Sequence, residues 1–223
     1  KPHFVILVVK FNSDFSGLAY SCLIGGNDQD YSNGINVDSD GNAFIIGISQ
    51  SFNFPVTDQA YKKEHSIDDL YNLVALKLNA SGDSLIYSTF IGSIDSNQPC
   101  SMDIDNEKNV YIFGKTLSEE FPVTSEAYDK IPNDIFVCKL NPTGTDLVYS
   151  TFFGGSDKEN YLGIAVDDSG YAYITGVTYS PDFPVTDDSI GDIIPWADGF
   201  VSKFDPSGSE LLYSKFFYES HPR

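Results

Sequence analysis

The sequence predicts an all-β chain assembled from repeated four-stranded antiparallel sheets, and three observations carry that prediction. A Tyr-Ser pair recurs at Tyr20-Ser21, Tyr87-Ser88, Tyr149-Ser150 and Tyr213-Ser214, in steps of 67, 62 and 64 residues. Phe54-Pro55, Phe121-Pro122 and Phe183-Pro184 keep the same phase, including the contraction from 67 to 62. Fourteen Tyr and seventeen Phe against a single Met, with eighteen Gly and eleven Pro, is the usage of strands and turns rather than helices. Self-similarity at a long fixed period marks a repeat architecture.

Within one unit, residues 163–167 and 171–178 read as the first and second strands. Asp167-Asp168-Ser169-Gly170 supplies the tight turn between them, because Gly and Asx residues accept positive φ. Residues 199–205 and 211–217 follow as the third and fourth strands around Pro206-Ser207-Gly208. The second strand is nearly continuous in apolar residues, as in Ala43-Phe44-Ile45-Ile46-Gly47-Ile48. Strict alternation would indicate one covered face, so continuity predicts cover on both. Small four-stranded sheets covered on both faces are the blades of a β-propeller.

The unit resembles the SBBP family of bacterial and archaeal proteins, named for seven-bladed β-propeller repeats. The residues that carry the resemblance are 147–155, 163–178, 182–184 and 136–141, and the other copies match nearly as well. On this phasing the chain holds about three and a half blades: a half blade at 4–26 and blades at about 34–92, 101–154 and 163–218. Such an incomplete ring is expected to belong to a longer protein or to be completed by another chain. The resemblance implies an extracellular or cell-surface location.

A formal charge of −19 repels phosphate backbones and anionic lipid, which excludes nucleic acid as a partner. No stretch approaches the ~20 apolar residues of a helical membrane span. Cys22, Cys100 and Cys138 stand at different phases of the repeat and make neither a disulfide framework nor a metal quartet. No nucleophile elbow, phosphate loop or metal-binding His pair is present, so no catalytic residue is assigned and the chain is expected not to be an enzyme. Carboxylates drawn together from different blades are the arrangement that sequence spacing could not reveal.

Candidate binding residues follow from what is repeated and what is not. Asp38, Asp40 and Asn42 space oxygen atoms like the first half of a calcium loop, making calcium the candidate cofactor, although a plain hairpin turn wants the same residue types. The Phe-Pro-Val-Thr segment recurs in each blade and is read as a packing device. The repeated Lys10, Lys77, Lys139 and Lys203 are expected to pair with carboxylates of a neighbouring strand, such as Asp38, Asp105 or Asp167. His65, Asp68, Asp69, Trp196 and Asp198 lie in or at the end of the long connections between second and third strands, where a rigid scaffold carries recognition. The leading expectation is a non-catalytic scaffold or interaction module with protein partners, this chain included. The alternatives are a glycan-binding or calcium-assisted adhesion module and, more weakly, a polysaccharide-active enzyme.

Overall fold

A computed structural model describes residues 4–65, 71–93, 96–186 and 198–217. The described residues contain strands and no helix. β1 (Ile6–Phe11) and β2 (Leu18–Ile24) form a two-stranded sheet. Three four-stranded antiparallel sheets follow, each with its strands in chain order. The second sheet comprises β3 (Asp30–Val37), β4 (Ala43–Ser49), β5 (Asn72–Leu78) and β6 (Leu85–Ile91). The third comprises β7 (Asn97–Ile104), β8 (Val110–Thr116), β9 (Ile135–Leu140) and β10 (Leu147–Phe152). The fourth comprises β11 (Glu159–Val166), β12 (Ala172–Thr178), β13 (Asp198–Phe204) and β14 (Leu211–Phe217). These are the blades of an open β-propeller, with inner strand β7 touching both β3 and β11.

Each inner strand begins earlier than its alternation suggests, at Asp30, Asn97 and Glu159 instead of 34, 101 and 163. The cause is a bulge. Pairing slips between Ser32 and Gly34, between Pro99 and Ser101, and between Asn160 and Gly163. An extra residue inverts the in-out pattern and hides the first part of the strand from a period-two reading. Gly47 and Gly114 stand opposite the bulges, where a Cβ would strike the carbonyl oxygens of Tyr31 and Gln98.

The core lies between sheets, one layer per seam. Ala43 and Ile45 of β4 pack with Ile6 and Val8 of β1, while Phe44 and Ile46 pack with Ile112 and Phe136 of the next sheet. Ile135 and Val137 then meet Ile174 and Phe200 across the last seam. Double cover explains the continuous apolar second strands.

Two repeated devices join the layers. Gly82, Gly144 and Gly208 occupy the turn between third and fourth strands at φ of 75°, 71° and 68°. Each lies against the Tyr ring of the preceding sheet, respectively Tyr20, Tyr87 and Tyr149. The Phe-Pro-Val-Thr segment has a second role besides packing Phe54, Phe121 and Phe183 into the seams. Thr124 N donates to Ser150 O at 3.0 Å, and Ser150 N donates to Thr124 Oγ1 at 3.2 Å. Further along, Phe152 N donates to Asp129 O and Asp129 N to Thr151 Oγ1. Thr57 and Thr186 repeat the first contact on Ser88 and Ser214. The long connection thus lies along the outermost strand and satisfies an edge that would otherwise invite association.

Candidate functional site

The turn named as the calcium candidate is closed by its own hydrogen bonds. Asp38 Oδ1 accepts from Asp40 N at 3.0 Å and Asn42 N at 2.9 Å, and Asn42 Nδ2 donates to Asp38 Oδ2 at 3.0 Å. Lys77 lies 3.4 Å and Lys108 3.5 Å from Asp38 Oδ2. Lys108 also reaches Asp40 at 3.8 Å. The Asp38 carboxylate is thus shared among Asp40, Asn42 and two lysines, and these contacts lock the hairpin. Burial pushes the Asp38 carboxyl up, but the Asn42 hydrogen bonds and the Lys108 and Lys77 charges outweigh it and carry its pKa down to about 2.

The lock is repeated. Lys139 lies 3.2 Å from Asp105 and Lys203 lies 3.9 Å from Asp167, each from the third strand of the same sheet. These lysines also cover aromatic rings, with Lys77 4.4 Å from the centre of Phe44 and Lys139 4.8 Å from Tyr111. Cation–π attraction in a dry seam adds to the ion pair.

His65 lies half-buried in the connection between β4 and β5. Its Nε2 lies 3.0 Å from Asn72 Nδ2, and its ring packs against Phe52 and Phe90. Asp68, Asp69 and Trp196 lie outside the described residues, as does the side chain of Asp198, whose backbone opens β13. Tyr61 and Tyr128 are repeat mates, and each donates its backbone N–H to the turn Gly of the next sheet, Gly144 or Gly208.

The arrangement that stands apart is a pair of acids across the last seam. Asp30, Asn97 and Glu159 begin the inner strands at equivalent positions, and Ser49, Thr116 and Thr178 end the second strands facing them. Thr116 Oγ1 donates to Asn97 Oδ1 at 2.7 Å; in the next sheet Thr178 Oγ1 donates to Glu159 Oε1 at 2.7 Å. Ser180 Oγ reaches the same Glu159 oxygen at 2.7 Å. Beside each inner strand runs the start of the preceding sheet's third strand, Asp30 N donating to Phe4 O and Asn97 N to Tyr71 O, and the repeat-equivalent residues there are Val5, Asn72 and Asp134. The three seams therefore present Val5 with Asp30, Asn72 with Asn97, and Asp134 with Glu159.

At the last seam both partners are carboxyl groups. Glu159 is 0% exposed, and its Oε2 and Asp134 Oδ1 are buried without a hydrogen-bond partner. Burial foremost, and then the neighbouring Asp134 carboxyl, pushes the Glu159 pKa up to about 7. Beside the pair opens a cleft of about 580 Å³ whose walls include Thr116, Ser118, Asn133, Ser156 and Lys158. Among the described residues no group of three or more His, Cys, Asp or Glu could hold a metal ion, so any cation here would rely on two carboxylates and neutral oxygens. The sequence signal for this site was Asp198, repeat mate of Asp134. The unrepeated partner, Glu159, was hidden by the bulge that masks the start of its strand.

A family model of the SBBP β-propeller repeat matches residues 20–55 and 148–184. Fold and match together define the chain as a protein of β-propeller repeats. The two matched segments are similar to the SBBP repeat. The chain is also similar to a point mutant of the Synechocystis apocarotenoid oxygenase, with a TM-score of 0.43 and 9% identity over 85% of this chain. It spans 40% of that chain, and so remote a likeness carries no argument about function. Comparison with curated proteins found no match.

Proposed function

We propose that the chain is a non-catalytic scaffold and interaction module of an extracellular or cell-surface protein, engaging further sheets of its own repeat type through the two end faces of the array. The observation that carries this reading is the exposure of end-face residues whose repeat mates are buried. Leu23 is 68% and Phe217 67% exposed, whereas their mates Phe90 and Phe153 are sealed in seams. Leu7 and Phe11 extend the first face. Large exposed apolar patches mark interaction surfaces.

The repeated polar and aromatic groups are consumed in joining sheets, which supports a structural role. The similarity to the SBBP repeat and the charge of −19 are in keeping with a surface location.

Sedimentation of the purified chain at rising concentration tests this reading, beside a Leu23→Asp/Phe217→Asp variant, with both samples assayed on a polysaccharide panel. The wild type is expected to associate, the variant to remain monomeric, and neither to turn over substrate. A wild-type chain that stays monomeric overturns the interaction reading, and turnover overturns the non-catalytic one.

A further inference from the structure

We propose that the edge of β1 facing away from β2, with the groove beside it, is a docking site for a β-hairpin of this repeat's first-and-second-strand type, carried by a partner polypeptide. The hairpin adds two strands to the first sheet. This site deepens the interaction reading above, on which it rests for the repeat character of the partner, but it uses a strand edge instead of a flat end face.

In each four-stranded sheet the third strand is flanked on both sides: β5 by β4 and β6, β9 by β8 and β10, β13 by β12 and β14. β1 is a third strand by repeat position, and among the described residues it pairs with β2 alone. Beside it opens a groove of about 370 Å³ lined by Leu7, Val9, Gly34, Ile35 and Ile45 among others. An unpaired strand edge next to apolar side chains is the surface on which an extended segment adds as a further strand.

The inner strand across the groove shows what the site lacks. Ile35 is 59% and Val37 55% exposed on β3. Their repeat mates are Met102 and Ile104 on β7, and Ile164 and Val166 on β11. Met102 and Ile104 pack on the cluster that holds Phe44 and Ile46 of β4, and Ile164 and Val166 on the one that holds Tyr111 and Phe113 of β8. A second strand of the preceding sheet thus covers these positions at both later seams, and no described strand does so at the first.

Charge is unmatched at the same place. Lys77, Lys139 and Lys203 each meet the Asp that follows the first strand of their own sheet. Their repeat mate Lys10 donates to the carbonyl of Ala80 at 3.4 Å, and no described carboxylate pairs with it. The occupant is thereby specified. Its first strand ends in an Asp for Lys10, a Gly-containing turn follows, and its second strand carries an aromatic residue and then Ile, as in Phe44-Ile45, Tyr111-Ile112 and Tyr173-Ile174. A second copy of this chain does not fit, since its own hairpins of this type are already paired with third strands.

The probe is a synthetic peptide of residues 159–178 with its ends cross-linked to hold the two strands together. Calorimetric titration of the whole chain at about 150 mM salt is expected to show one peptide bound, with hydrogen exchange slowed in β1. Lys10→Glu in the chain, or Asp167→Lys in the peptide, should each weaken binding about tenfold or more, and the two together should restore most of it. The Leu23→Asp/Phe217→Asp variant should bind like the wild type. A chain that sediments as a monomer yet binds the peptide in this way would retire association through the end faces and leave this site standing. Absence of binding, or protection confined to β14, overturns the proposal. No recovery in the charge-swapped pair also overturns it, because the hairpin is then not seated with its Asp on Lys10. Binding lost in the Leu23→Asp/Phe217→Asp variant does the same, since it places the peptide on a flat face.

Discussion

The ring of Tyr87 lies against Gly144 of the next sheet so closely that a Cβ on that glycine would stand 2.5 Å from the ring carbons. Two demands meet at this position, a φ of 71° and an absent side chain. Gly144→Ala violates both and is expected to lower stability by about 2–3 kcal/mol in urea denaturation. In the two-stranded sheet the equivalent residue is Phe15, at φ 58° and 78% exposed, with no preceding ring to meet. Phe15→Gly is therefore expected to stabilise by up to about 1 kcal/mol. A loss of stability in that variant would mean that Phe15 makes contacts outweighing its strained backbone.

Lys139 and Asp105 pair at 3.2 Å with both side chains almost wholly buried. Replacing Lys139 by Met strands the Asp105 carboxylate and should cost about 3 kcal/mol. Adding Asp105→Asn should recover much of it, since the loss lies in the unpaired charge. Thermal melts of the two variants distinguish this from a packing defect, which the second substitution would not relieve.

Acid and neutral pH act on different groups. Asp38, whose ordinary value is 3.8, is held at about 2 in the folded chain, so its contribution is complete above roughly pH 4 and fades as pH falls through 2. Glu159 behaves oppositely. Its pKa rises from 4.5 to about 7, the folded state binds the extra proton, and stability should fall as pH rises between those values. Glu159→Gln should flatten that slope; a stability curve unchanged by the substitution would dismiss the pair as its source.

Tyr149 is buried, yet its hydroxyl finds no partner. The ring is what the next sheet needs, through its contact with Gly208. Tyr149→Phe is accordingly expected to leave the urea midpoint unchanged or to raise stability by about 1 kcal/mol. A marked loss would reveal a hydrogen bond at that hydroxyl.

Thr124 and Ser150 exchange three hydrogen bonds along the outer strand. Thr124→Val keeps the shape and removes the acceptor, leaving the Ser150 N–H unpaired at a cost of about 1–2 kcal/mol. Hydrogen exchange should quicken at Ser150 and leave β8 unaffected.

The sequence by itself determined the repeat, the strand count per unit and the double cover of the second strands, because these are written in local alternation and in landmarks of constant phase. Its expectation that the repeated lysines pair with neighbouring carboxylates appears in the structure for Lys77, Lys139 and Lys203, since partner residues kept in phase across copies imply a common contact, whereas Lys10 donates to the carbonyl of Ala80. The tertiary structure decided what depends on neighbours in space. It showed that Asn42 and two lysines consume Asp38, that Phe-Pro-Val-Thr leads into an edge cover, and that His65 is packed among Phe52, Phe90 and Asn72. Above all, it brought Asp134 to Glu159, residues on different sheets whose approach is governed by seam packing and a bulge. No spacing along the chain encodes that distance, because it is set by how one blade stacks on the next.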